Sequence, residues 1–273
     1  MLAILRQVES STADRQLREP ELKSPDHSLP AIADARKRVL KWGKSLLIFR
    51  PELPMMRNPW LDIPLGDYEA HMALPAIGQS QLIADQLDIL VRRYAPSSVA
   101  ILGCAGGNGF ERLIDTSVSR VVGVDINPQY IEAARQRYDG RVPGLKLQVG
   151  DIQTAAWLFE PVDFIYAALV FEYVDVARTM SVLRRHCKPE GILAVLSQVP
   201  HKALPEVSPS PYTSLRLLEP GMHLLPHEEL QRHATQIGFT PEDSRKILSP
   251  GGKQFTVETF RNCLNTPAGP GAV

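Results

Sequence analysis

From Gly78 to Val199 the chain alternates short apolar runs with amphipathic stretches, and that alternation leaves few folds open. The stretch GQSQLIADQLDILVRRY puts Leu82, Ile83, Leu87, Leu90 and Val91 on one helical face. SSVAIL follows as a short buried strand, and RVVGVD, LKLQVGD, VDFIYAAL and GILAVLSQV read as four more. A helix is expected from Phe110 to Ile114, and NPQYIEAARQRY and DVARTMSVLRRHC supply two more, the first with Pro128 early in its opening turn. Strands this apolar, separated by helices, predict a parallel sheet covered on both faces. Residues 200–225 are proline-rich, lack a clear period and exceed a usual connection. Beyond them PHEELQRHATQIG predicts a helix, and DSRKIL and KQFTVETF predict two strands joined by Ser249-Pro250-Gly251-Gly252. That join is a hairpin signal, so the sheet should close on an antiparallel strand.

Composition narrows the function classes. Among 273 residues, Lys+Arg and Asp+Glu both number 30, so the basic surplus of a nucleic-acid binder is missing and no such partner is expected. Cys104, Cys187 and Cys263 are too scattered for a disulfide framework or a paired metal motif, which points to a reducing, cytoplasmic setting. No apolar run approaches the roughly 18 residues of a membrane-spanning helix, and MLAILRQVESS has too short an apolar core for a secretory signal. Residues 1–54 differ from the rest, being polar and proline-interrupted, with ten Lys and Arg against seven Asp and Glu. They read as a loosely attached or disordered extension, with one candidate basic helix in AIADARKRVLKWGKSLLIF. Met55 and Met56 offer an alternative start to the domain expected over 55–273.

The loop after the first strand, ILGCAGGNGFE, carries four glycines in the seven residues 103–109. Glycine loses more conformational freedom on folding than any other residue, so such a loop implies a ligand brought close to the backbone. A phosphate-binding P-loop needs a Lys-Ser/Thr pair after the last glycine, but Phe110 and Glu111 stand there. No register of GCAGGNG gives the G-x-G-x-x-G of a dinucleotide site. What remains is a strand–loop–helix unit whose next strand ends in Asp125, 22 residues after Gly103 (125 − 103). A carboxylate at that distance suits the two hydroxyls of a ribose, so the expected cofactor is an adenosine compound.

With LGCAGGNG, VVGVDINPQYIEAA, LQVGDI and FIYAALVFEYV in this order, the chain resembles the class I S-adenosylmethionine-dependent methyltransferases over about residues 68–262. The resemblance implies a Rossmann-like, seven-stranded, mostly parallel sheet with helices on both faces and a C-terminal antiparallel hairpin. It implies S-adenosylmethionine as cofactor, with Gly103, Ala105 and Gly107 letting the backbone approach it and Cys104 and Asn108 in the same loop. Asp125 would hold the ribose hydroxyls with Ile126 against the adenine. Asp151 would accept from the adenine amino group beside Ile152, and Ala168 and Leu169 would lie near the methyl group. The family often places an acid two residues before the first glycine; Ile101 stands there, so the cofactor's amino group must be met elsewhere.

The activity so implied is methyl transfer to a small-molecule acceptor. The alternatives are an adenosyl-cofactor binder without turnover and a nicotinamide-dependent oxidoreductase. Phe171, Tyr173, Tyr212 and Leu217 are the candidate acceptor contacts, with residues 200–225 as a cover over the pocket. Each has a plainer reading. Asp125 and Asp151 could cap the segments after them, and Phe171 and Tyr173 could be core aromatics. Cys104 reads as a packed loop residue and Glu172 as a solvated or capping acid. His223 and His227 are four apart with Pro226 between them, which spoils a helical metal face, so no metal is expected.

Overall fold

The computed structural model describes residues 58–154 and 159–263. The extension expected over residues 1–54, with its candidate basic helix, lies outside these. In chain order the elements are α1 (Leu65–Ala73), α2 (Gln79–Tyr94), β1 (Ser98–Leu102), β2 (Arg120–Asp125), α3 (Pro128–Tyr138), β3 (Leu145–Val149), β4 (Val162–Ala168), α4 (Val176–His186), β5 (Cys187–Gln198), α5 (His227–Gln236), β6 (Phe239–Leu248) and β7 (Gln254–Asn262). Tight 3₁₀ turns occupy Pro59–Leu61, Phe110–Leu113, Phe171–Tyr173 and Thr213–Gly221.

Seven strands form one sheet in the order β3-β2-β1-β4-β5-β7-β6. The first five are parallel, and β7 runs antiparallel to both β5 and β6. The continuous apolar strands follow from burial on both faces. Val99, Ile101, Phe164 and Tyr166 share a core with Ile83 and Leu87 of α2 and Ile131 of α3. Their neighbours in sequence, Ala100, Leu102, Ile165 and Ala167, pack with Met180 and Leu183 of α4 and Leu230 of α5. Each large side chain buried in this way contributes roughly 1.5–3 kcal/mol, which is why the period of two disappears from these strands.

Local signals set the helix ends. Asn127 caps α3 by accepting from the Gln129 N–H (2.9 Å), and Asp175 caps α4 by accepting from the Arg178 N–H (2.8 Å). The helix expected from Phe110 to Ile114 is a single 3₁₀ turn ending at Leu113. Its chain is diverted by Thr116, whose hydroxyl donates to the Leu113 carbonyl and accepts from the Val118 N–H. Residues 200–225 hold the 3₁₀ turn Thr213–Gly221, whose three-residue period faces Leu215 and Leu218 the same way. The hairpin between β6 and β7 closes through the Ser249 N–H to the Lys253 carbonyl (2.9 Å). Its tip packs on the α1–α2 turn so closely that a Cβ on Gly251 would sit 2.0 Å from the Ala76 carbonyl oxygen.

The order of the parallel strands reverses between β1 and β4, and ligands in open α/β sheets bind outside the strand ends at such a reversal.

Candidate active site

A cleft opens at that reversal, where small-molecule sites are commonly found. Gly103 and Ala105 enter it from β1, Asp125 and Ile126 from β2, Asp151 and Ile152 from β3, and Ala168 and Leu169 from β4. The glycine loop is folded back on its strand. The Gly103 and Cys104 N–H groups both donate to the Val124 carbonyl, at 2.8 and 3.1 Å. Gly103 has φ +64°, and a Cβ there would come 2.7 Å from a Val170 methyl group, so only glycine lets the β1 and β4 loops meet.

Asp125 organises the site. Its two oxygens accept from the Ala105 N–H (2.9 Å) and the Asn127 N–H (2.8 Å), which joins the glycine loop to the start of α3. The cap of α3 is Asn127, not Asp125. At 6% exposure, burial pushes the Asp125 carboxyl up to about 6, against the opposing pull of the backbone N–H groups. The carboxylate has lone pairs beyond those these two bonds use, which suit a hydroxyl donor. Ala105 (φ 46°) and Leu169 (φ 56°) are both left-handed non-glycine residues, and both line the cleft. Such a backbone costs an L-residue roughly 1–2 kcal/mol, a strain that gathers at ligand-binding sites.

Aromatic residues supply the remaining walls. Trp60, Tyr68, Tyr130 and Tyr173 line the cleft, with Trp60 edge-on to Tyr68 and to Tyr173 at centroid distances of 5.6 and 5.1 Å. Two hydrogen bonds pin their segment to α3. The Asn127 amide donates to the Trp60 carbonyl (2.9 Å), and the Tyr130 hydroxyl donates to the Ile63 carbonyl (3.0 Å). Among the described residues, the only charged side chains on the walls of this cleft are Asp125 and Asp151.

A second cleft shares Trp60, Tyr68, Leu169 and Tyr173 with the first. It is closed by Val207, Leu215, Leu218 and Met222 on one side and by His71, Gln198 and Lys253 on another. The His71 ring, 2.9 Å through Nδ1 from the Ser210 hydroxyl, ties α1 to the segment after β5.

Several expected site residues lie elsewhere. Cys104 is buried with its sulfur in the core, its N–H is already committed, and burial pushes its thiol well above the usual range. Gly107 faces Tyr138, 2.5 Å from where a Cβ would stand, so it serves packing within the loop rather than approach to a ligand. Asn108 donates to the Ser80 carbonyl (3.1 Å) and lines a different depression beside Arg137. Phe171 is buried among Val122, Met180 and Leu183, away from both clefts. Leu217 is half exposed because the 3₁₀ turn directs Leu215 and Leu218, not Leu217, inward. Tyr212 packs in a small cluster with Ile63, Leu215 and Leu218. Glu172, expected at the surface or as a cap, is 1% exposed. Its Oε1 accepts from the Gln198 N–H (2.7 Å), and burial pushes its carboxyl up to about 7. Asp151 turns its own loop, accepting from the Gln153 N–H (2.9 Å) while lining the first cleft. His223 and His227 have different neighbours: His223 Nδ1 lies 3.0 Å from the Gly221 carbonyl oxygen and His227 Nδ1 lies 2.6 Å from the Glu258 carboxyl. Trp60, Tyr68, Tyr130 and Lys253 escaped the sequence reading. The first two stand in NPWLDIPLGDYEAHM, where the aromatic spacing was the available signal.

Comparison with known proteins places this geometry. Residues 101–195, from β1 to β5, match the family model described as a methyltransferase domain. Trans-aconitate 2-methyltransferase of Methylobacterium nodulans is 27% identical over 160 residues, covering 56% of this chain and 60% of that protein. The match thus spans less than two thirds of that relative's length. Among solved structures, an S-adenosylmethionine-dependent methyltransferase of Methanosarcina mazei superposes with a TM-score of 0.53 at 19% identity, over 64% of this chain and 98% of that one. The [4+2]-cyclase SpnF superposes with a TM-score of 0.54 at 15% identity, over 68% and 82%.

Proposed function

Because the chain carries a class I S-adenosylmethionine-dependent methyltransferase domain, we propose that it holds S-adenosylmethionine in the first cleft and methylates a small molecule held in the second. The charge of the first cleft carries this reading. Its only charged walls among the described residues are two aspartates, which suit a sulfonium and oppose the pyrophosphate of a nicotinamide dinucleotide. Asp125 would take the ribose hydroxyls on its free lone pairs, with Ile126 and Ile152 flanking the purine and Asp151 toward its amino group. Aromatic faces beside the strained Leu169 suit the cationic sulfur.

The bound cofactor supplies an activated methyl group and a neutral leaving group. What this chain contributes is position, since an acceptor atom held at near-attack distance gains several kcal/mol over free encounter. The shared wall of Trp60, Tyr68, Leu169 and Tyr173 supports the second cleft as the acceptor side. The named activity of the Methylobacterium relative, on a small carboxylic acid, favours an acceptor of that size.

The test is a thermal shift followed by transfer of labelled methyl. S-Adenosylhomocysteine should raise the Tm by mass action and NADH or ATP far less. A larger shift with NADH would sink the reading. The other reading is binding without methyl transfer; stabilisation by S-adenosylhomocysteine with no labelled product from any acceptor would select it.

A further inference from the structure

The second cleft holds an unusual group, the ammonium of Lys253. It stands where the closing hairpin enters β7, is 6% exposed and lines the cleft. Its Nζ donates to two neutral acceptors, the Gln198 side-chain oxygen (3.3 Å) and the Glu206 carbonyl. That leaves one of three N–H groups without a protein partner. Among the described residues no carboxylate lies within 4 Å of it; Lys188, by comparison, meets Asp163 at 2.8 Å. The nearby acid, Glu206, has an exposed side chain at the rim. His71 is buried close by, and both burial and the Lys253 charge push its pKa down, which favours the neutral ring. A buried cation whose nearest acid stands beyond ion-pair contact is costly, and such groups are normally paired.

Beside Gln79 and Ser208, much of the remaining wall is apolar, formed by Met72, Val207, Leu215, Leu218 and Met222. Resting on the assignment of this cleft to the acceptor, we propose that the acceptor is an amphiphilic anion whose carboxylate is held by Lys253 while its apolar body lies against Leu215, Leu218 and Met222. Lys253 lines the second cleft only and is absent from the wall shared with the first. The anchored carboxylate therefore stands back from the cofactor, and the methylated atom is another one on the same molecule. Lys253 is a specificity-determining residue here, acting through charge.

The plain alternative is that Lys253 merely fastens the segment after β5 through the Glu206 carbonyl. The two differ in what a neutral donor can replace. Calorimetry on the full chain saturated with S-adenosylhomocysteine would use phenylacetate and octanoate as probes, each beside its neutral amide. At least one acid should bind, with its amide at least tenfold weaker. Lys253→Gln, which keeps N–H donors and removes charge, should lose at least tenfold in acid binding with the affinity for S-adenosylhomocysteine unchanged, and Lys253→Arg should recover part of it. Amides binding as tightly as acids, no acid binding to the loaded chain, or Lys253→Gln leaving acid binding intact would each overturn the proposal. Should Lys253→Gln unfold, the acid–amide contrast in the unaltered chain decides alone. Failure of S-adenosylhomocysteine itself to bind would strike the cofactor assignment instead.

Discussion

The two clefts share a wall and are built by different rules. The first stands on the ends of β1, β2, β3 and β4, so most of its polar and loop residues follow strands whose register the sheet fixes. The second is assembled from α1, the turn Thr213–Gly221, the end of β5 and the hairpin tip, pieces that meet only in the finished fold. Their charges also differ, two aspartates in one and a buried lysine with Glu206 at the rim in the other. A site for a common cofactor can be carried by the sheet itself, whereas a site for a particular acceptor must come from what is hung around it.

The sharpest break between the clefts is expected at Asp125. Asp125→Ala should cost cofactor binding about 1.5–3 kcal/mol, the range for hydrogen bonds to a charged group, and should also loosen the glycine loop through the Ala105 N–H. Calorimetry with S-adenosylhomocysteine measures it; wild-type affinity would reduce Asp125 to a scaffold for its loop. Leu218→Ala should fall on the other side. It removes a buried wall of the second cleft at a cost of roughly 2 kcal/mol in stability, and it should impair acceptor turnover more than cofactor affinity.

Titration should separate the clefts by direction. Cofactor affinity should rise with pH through about 6, because hydroxyl donors favour the ionised form of Asp125. Stability without ligand should move the opposite way. The raised carboxyls of Asp125 and Glu172 bind protons more tightly folded than unfolded, so stability falls as pH rises from about 4 to about 7. Asp125→Asn and Glu172→Gln should flatten that slope in thermal melts. Anion binding in the second cleft should instead be lost as pH rises through about 8, where burial has brought the Lys253 ammonium. His71, Glu206, Tyr68 and Tyr173 are the other titratable groups on that cleft's walls, and burial pushes both phenols up, away from this range. The smallest effect belongs to Leu217→Ala, expected within about 0.5 kcal/mol of wild type on stability and on both affinities, as for an ordinary surface position. A large loss there would mean that the half-exposed face of the turn has a role.

The contrast also explains what could be read in advance. Most strands and their order of appearance were legible because burial on both faces leaves unbroken apolar runs, and Asp125 because it ends one; Asp151, past the half-exposed β3, was legible only through the motif LQVGDI. Orientation inside an irregular loop has no comparable code. Cys104, Gly107 and Asn108 sit within a few residues of Gly103, yet turn respectively toward the core, Tyr138 and the Ser80 carbonyl. Likewise, Leu217 and Leu218 are adjacent leucines that only the three-residue turn distinguishes. Lys253 was illegible for another reason. A lysine beside a hairpin reads as solvated, and the groups around this one, Gln198, Glu206 and the walls from α1 and the Thr213–Gly221 turn, are brought to it only by the finished fold.

The placement of β7 between β5 and β6 has a consequence during synthesis. Ile192 of β5 pairs with Arg261, so the inner edge of a long apolar strand waits for a partner that leaves the ribosome about 70 residues later. At typical elongation rates of about 5–20 residues per second that wait is on the order of several seconds. An unpaired strand edge of this length invites pairing with other chains. The nascent protein is therefore most vulnerable after its glycine loop and β4 have emerged and before its last hairpin has. A chaperone that covers β5 in that interval would do more for the yield of native protein than one that acts after release.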